Sequence, residues 1–134
     1  MFCIDASVII SAARESETDS EKSRAFLHRV QENGEKVFLP EIVISEVAAG
    51  LFRASKRADF SYGFARDLRG IPNFSFVAVD ARLADLAAEI AVRTSLRSAD
   101  AIYAALAYDY HLTLVTLDKD QLARARGIIT ARQP

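Results

Sequence analysis

Four acidic residues stand where apolar runs give way to helical patterns, or one turn into a helix. Asp5 closes the run Met1-Phe2-Cys3-Ile4, and Glu46 follows Val37-Phe38-Leu39 by about two helical turns. Asp100 falls in the first turn of a helix that opens near Ser98, and Asp118 closes Leu112–Leu117. Asp120, two residues on, is a fifth candidate. Each has a bland reading: Asp5 and Asp118 suit helix N-caps, Asp100 complements a helix dipole, and a helical Glu is usually solvated. Together they say more. Two unit charges about 4 Å apart repel by roughly 4 kcal/mol at an effective dielectric of 20, so gathered carboxylates must protonate, pair with cations or bind metal. Oxygen-only ligand sets suit Mg²⁺ or Mn²⁺ and not Zn²⁺. His28 and His111 have no matching spacing and read as surface or loop residues.

A parallel α/β sheet is the scaffold that would bring such residues together, because ligands bind at the carboxyl ends of its strands. The first run is short, apolar and unalternating, as a strand buried on both faces should be. Strands are predicted at Met1–Ile4, Lys36–Leu39, Phe74–Val79, Leu112–Leu117 and Ile128–Thr130. Between them the apolar spacing predicts helices over Ala6–Ala13, Ser20–Glu32, Glu41–Lys56 and Ala58–Arg69. Further helices are expected from Asp80, as N-cap, to Thr94, then over Ala99–Tyr110 with Ser98 as N-cap, and over Lys119–Ala125. Asn33-Gly34 ends the second helix, and Arg14 to Glu21 reads as a solvated turn. Alternation of this kind predicts a three-layer α/β/α arrangement over a parallel sheet of about five strands.

The chain of 134 residues is expected to form a single domain over 1–134. Its composition, 51% apolar and 26% charged, is that of a globular protein, and a net charge of −1 argues against a uniformly basic nucleic-acid coat. Arg nevertheless supplies thirteen of the seventeen basic residues, and Arg is the better phosphate ligand. Cys3 is the single cysteine, which excludes an internal disulfide and suits a small buried side chain in a reducing compartment. No run reaches the roughly 18 apolar residues of a membrane span, and no secretory leader is recognisable, so a cytoplasmic location is expected.

The motifs Ile4-Asp5-Ala6-Ser7, Ser45-Glu46-Val47, Ser98-Ala99-Asp100-Ala101 and Thr116-Leu117-Asp118-Lys119-Asp120 occur in this order along nearly the whole chain. In order and spacing they resemble the PIN-domain ribonucleases of the VapC-like toxin kind. The resemblance implies a sheet of strand order 3-2-1-4-5, metal-dependent endoribonuclease activity, a homodimer and an antitoxin partner. It places Asp5, Glu46, Asp100 and Asp118 at the family's acidic positions, with Ser7 and Thr116 at the supporting hydroxyls. Ala6 stands where Thr is common in the family, at a position that is not a ligand. The expected activity is thus an Mg²⁺-dependent hydrolase of RNA, with Mn²⁺ as substitute. Asp5, Asp100 and Asp118 would hold one or two ions, Glu46 would complete the site, and Ser7, Thr116 and Asp120 would support it.

Rival chemistries fit less well. A phosphoaspartate phosphatase built on Asp5 would want a second acid two residues later, where Ser7 stands. A receiver domain would want an acidic pair before its phosphorylated Asp, and a dinucleotide site would want a Gly-rich loop after the first strand. The non-enzymatic rival is a PIN-like scaffold that binds RNA or a partner without cutting.

Overall fold

A computed structural model describes residues 1–15 and 18–134. Of the expected solvated turn, Ser16 and Glu17 lie outside the described residues. Five strands form one parallel sheet: β1 (Phe2–Ile4), β2 (Val37–Pro40), β3 (Phe74–Val77), β4 (Thr113–Val115) and β5 (Ala131–Arg132). Their order is β3-β2-β1-β4-β5, with Cys3 opposite both Phe38 and Leu114. Among the described residues seven α-helices connect them: α1 (Ala6–Ala13), α2 (Ser20–Glu32), α3 (Val43–Ser55), α4 (Ala58–Asp67), α5 (Ala81–Thr94), α6 (Ser98–Asp109) and α7 (Lys119–Ala125).

This order creates the crevice. The chain leaves β1 towards β2 and β3, then returns across the sheet to β4 and β5. Right-handed crossovers in opposite directions place their helices on opposite faces. On one side α1 packs on α2 and α3, and α3 packs on α4; on the other α5 packs on α6, which lies on β1, β2 and β4. The segments that follow neighbouring strands β1 and β4 therefore part company and leave a cleft over the carboxyl edge.

The central layer is dry. Cys3, Ile4, Val37, Leu39, Leu114 and Val115 are fully buried, which explains the unalternating apolar runs. Helix α6 is buried nearly all round: Ala101, Tyr103, Ala104, Ala105, Leu106 and Ala107 are all inaccessible. Its many Ala residues let it lie close against the strands. No helix among the described residues is long and apolar enough to cross a membrane.

Several boundaries differ from expectation. Glu41 is not helical: its N–H bonds the Val77 carbonyl, extending the sheet, so α3 begins at Val43. Helix α4 stops at Asp67 and a 3-10 turn spans Leu68–Gly70. Strand β3 ends at Val77, and β4 keeps only Thr113–Val115. Ser98 is the first residue of α6 and not its cap; Arg97 holds that position without a side-chain cap bond. The last strand is Ala131–Arg132, not Ile128–Thr130. The N–H groups of Ile128 and Ile129 both turn back to the Ala125 carbonyl, and pairing with β4 starts where Thr130 O accepts from Leu114 N–H. Asp80 does cap α5, accepting from Leu83 N–H at 2.9 Å, and Gly34 takes φ +60° after α2.

One close approach fixes α1 against α3. A Cβ on Gly50 would stand 2.4 Å from Cδ1 of Ile10. Gly50→Ala displaces Cδ1 of Ile10 and presses its Cγ1, 3.2 Å away, but gains helix propensity of about 1 kcal/mol, so its stability should stay within about 1 kcal/mol of the parent. Gly50→Leu has no such escape and should cost about 1–3 kcal/mol by overpacking. Urea denaturation of the two variants checks this; equal loss in both would mean that Ile10 cannot move.

Candidate active site

Each acid reaches the cleft by a local rule. Asp5 ends β1 and caps α1, its Oδ2 accepting from Ser7 N–H at 2.8 Å. Asp118 follows β4 and caps α7, its Oδ1 accepting from the N–H groups of Asp120 and Gln121 at 2.9 and 3.0 Å. Asp100 lies in the first turn of α6 and Glu46 in the first turn of α3. The bland readings of Asp5, Asp100 and Asp118 are therefore correct as far as they go. Helix N-termini, with unpaired N–H groups and positive dipole ends, are also what makes a cluster of negative charge tolerable.

Asp5, Ser7, Glu46, Asp100 and Asp118 line one cavity of about 600 Å³, together with Ser45, Arg53 and Arg97. Two of the supporting candidates do not line it. Asp120 lies outside this cavity, with both carboxylate oxygens 2.8 Å from Arg124 Nε. Thr116 is buried and its Oγ1 accepts from Asp118 N–H at 3.0 Å, so it shapes the loop. Ser7 is double-ended: its N–H serves Asp5 while its Oγ accepts from Leu117 N–H at 3.1 Å, joining the segments after β1 and β4. His28 and His111 are exposed and remote from the cavity, as expected.

Three polar residues hydrogen-bonded to these acidic residues were not singled out from the sequence. Arg97 bridges two acids, with Nε 2.8 Å from Asp100 Oδ2 and Nη2 2.6 Å from Asp118 Oδ2. Tyr103 is fully buried, and its hydroxyl donates to Glu46 Oε2 at 2.6 Å. Gln121, also fully buried, points Nε2 at the Asp100 carbonyl at 3.5 Å. Spacing held a signal for two of them: Arg97 is three residues before Asp100 and Tyr103 three after, both within helical contact range.

The charges respond to these surroundings. Burial, foremost, holds the Asp5 carboxyl above its usual range; the Ser7 hydrogen bonds oppose this, and the charges of Asp100 and Asp118 add to it. Burial likewise raises Glu46, against the Tyr103 hydrogen bond and with Asp5 and Asp100 behind it. Asp118 is lowered, chiefly by the Gln121 N–H, with further help from Asp120 N–H and Arg97. Burial also pushes the Tyr103 phenol well up, so it remains a donor.

The donor chemistry fits a hard divalent cation: four carboxylates of one cavity offer oxygen only. As the side chains lie, no three acidic or imidazole groups among the described residues stand close enough to hold an ion, and Arg97 bridges two of the carboxylates.

Acids collected over the switch point of a parallel sheet ordered 3-2-1-4-5 define the PIN-like architecture. The chain belongs to the PIN domain family, whose model matches residues 2–128. No curated protein matches it in sequence. Solved structures share its fold at low identity. The Mycobacterium tuberculosis toxin VapC20, named as cleaving the sarcin–ricin loop, superposes with a TM-score of 0.78 at 18% identity, over 98% of this chain and 99% of that one. FitAcB from Neisseria gonorrhoeae gives 0.70 at 22%, over 98% and 96%. VapBC2 from Rickettsia felis, solved on a fragment of its promoter DNA, gives 0.73 at 14%, over 99% and 98%.

Raised carboxyl groups carry a sign. Between the ordinary range and the raised folded value, the folded protein holds more protons at Asp5 and Glu46 than the unfolded chain does. Their contribution to stability therefore falls as pH rises through that window. Asp5→Asn, which can still cap α1, should raise the melting temperature at neutral pH in chelator and lose that advantage in acid. Thermal melts across pH check this; a variant less stable than its parent at pH 7 would show that the Asp5 charge is stabilised overall.

Proposed function

We propose that the protein is a divalent-metal-dependent endoribonuclease and the toxin of a toxin–antitoxin pair acting in the cytoplasm. The observation that carries this is the convergence of Asp5, Glu46, Asp100 and Asp118 on one cavity at the switch point of a PIN-family sheet. Asp5, Asp100 and Asp118 would hold Mg²⁺, or Mn²⁺ in its place, directly or through water. Such an ion, when bound, lowers the pKa of coordinated water and neutralises charge on the scissile phosphate for in-line displacement.

The chain's own residues set the stage. Tyr103 holds Glu46 by one oxygen, and burial keeps that carboxyl above its ordinary range, which suits a group that takes a proton from an attacking water. Caps at Asp5 and Asp118 anchor two of the ligands to helix N-termini. Ser7 and Thr116 keep their loops in register. Arg53, on the cavity wall, supplies positive charge where an RNA backbone would approach.

The second reading, a PIN-like scaffold that binds without cutting, draws on the Arg97 bridge, which leaves no metal cluster ready-made among the described residues. Cleavage separates the two. RNA cutting should vanish in chelator and return with Mg²⁺ or Mn²⁺, Asp100→Asn should abolish it, and Glu46→Gln should slow it by about 10²–10⁴-fold. Circular dichroism confirms that the variants fold. Undiminished cutting by Asp100→Asn sinks the mechanism, and absence of any metal-dependent cutting favours the scaffold.

Assembly belongs to the same proposal: an antitoxin partner and a two-fold homodimer. A Klebsiella pneumoniae structure named as a toxin–antitoxin complex shares the fold, with a TM-score of 0.70 at 18% identity, and supports the first. For the second, α3 and α5 carry more apolar residues than one core face needs: Val43, Val47, Leu51, Leu83, Ala87 and Ile90 are buried, while Ile42, Ile44, Leu86 and Ala91 are only partly covered. Phe52 on α3 and Val92 on α5 remain exposed. A dimeric mass at micromolar concentration is expected; a monomer would remove the homodimer and leave the nuclease reading in place.

A further inference from the structure

Arg97 is a cation supplied by the chain itself to the acids proposed to hold metal. Its guanidinium makes one bond to each of two carboxylates, Asp100 at 2.8 Å, three residues on, and Asp118 at 2.6 Å, 21 residues on. The acids are well covered, with side-chain exposures of 13% for Asp100 and 30% for Asp118, while the Arg97 side chain is 70% exposed. An exposed arginine thus reaches inward and ends on the two less accessible partners.

The root and the tip of this residue are held very differently. The Arg97 carbonyl accepts from Ala101 N–H at 2.9 Å, the first hydrogen bond of α6, and its backbone is extended at φ −65°, ψ 154°. The guanidinium is held by the two carboxylates. A fixed root and an exposed stem allow the tip to swing out without disturbing the helix. Arg stays charged at any working pH, so protons cannot release it. Another cation can. A divalent ion and a guanidinium compete for the same carboxylate oxygens, and the oxygens cannot fully satisfy both.

Resting on the metal-site reading above, we infer that Arg97 is a tethered counter-ion that occupies Asp100 and Asp118 until a divalent cation displaces it. Metal affinity is then set by an intramolecular competition, and the site cannot load without Arg97 turning outward. Arg97 is in this sense a positioning residue: it keeps two like charges together in the unloaded protein and yields them to the ion.

Mn²⁺ binding, read from the electron paramagnetic resonance signal of the free ion at constant ionic strength, tests the competition without reference to activity. Arg97→Met keeps the stem and removes the charge. Two ion pairs to the same ligands are lost, so this variant should bind Mn²⁺ about twofold to thirtyfold more tightly than the parent. Arg97→Lys, which keeps a charge, should fall between them, and Asp100→Asn should bind weakly. A second readout follows Arg97 itself: its Nε–H resonance, bonded to Asp100 in chelator, should shift as Mg²⁺ saturates the protein. Equal or weaker Mn²⁺ binding by Arg97→Met overturns the competition while leaving the metal site standing. An Nε–H resonance indifferent to Mg²⁺ does the same. Failure of the parent and of Arg97→Met alike to bind Mn²⁺ overturns both the competition and the metal site.

Discussion

Repulsion among carboxylates is the constraint on which the rest of this structure turns. The sheet order places the ends of β1 and β4 side by side, and each delivers an acid to the same edge. Helices α3 and α6 add one acid each from their first turns. Nothing about hydrophobic packing favours this gathering. It is held in place by the dry layer beneath, where Ile4, Leu114, Val115 and the buried face of α6 leave the segments above them little choice of path.

The same constraint explains why caps and ligand candidates coincide. A carboxylate that accepts N–H bonds at a helix start is partly neutralised without losing its charge. Asp118 has two such bonds and Arg97, and its carboxyl is held low; Asp5, more deeply buried, is held high despite its bond from Ser7. The two therefore differ in proton affinity although both close a central strand and cap a helix. Environment, not residue type, sets that difference.

Much of this was legible in the sequence. An unalternating apolar run marked β1, because a strand buried on both faces needs no polar positions, and the mainly apolar run Leu112–Leu117 marked β4. Acids at their ends marked the cleft edge, and the quartet of motifs marked the family. The misplaced last strand has a local cause: Ile128 and Ile129 look like strand residues, yet they close the turn after α7, a choice made by two hydrogen bonds to one carbonyl. Ser98 looked like a cap because its residue type suits one, but the helix starts a residue earlier in its hydrogen bonding. Arg97 and Tyr103 escaped notice for a different reason. A lone Arg reads as a solvated charge and a Tyr in an Ala-rich helix as core, and only the folded chain shows that each ends on an acid.

The bond between Ser7 Oγ and Leu117 N–H has a mechanical meaning. It pins the first turn of α1 to the loop after β4, directly above the paired strands that anchor both. Asp5 and Asp118 consequently ride on a single stiff bracket, and their separation is a property of the sheet, independent of either loop's own flexibility. Surfaces farther out, such as the exposed face of α4 with Phe60 and Tyr62, are outside that bracket. Residues on such peripheral faces can therefore change while the spacing of Asp5 and Asp118 stays constant.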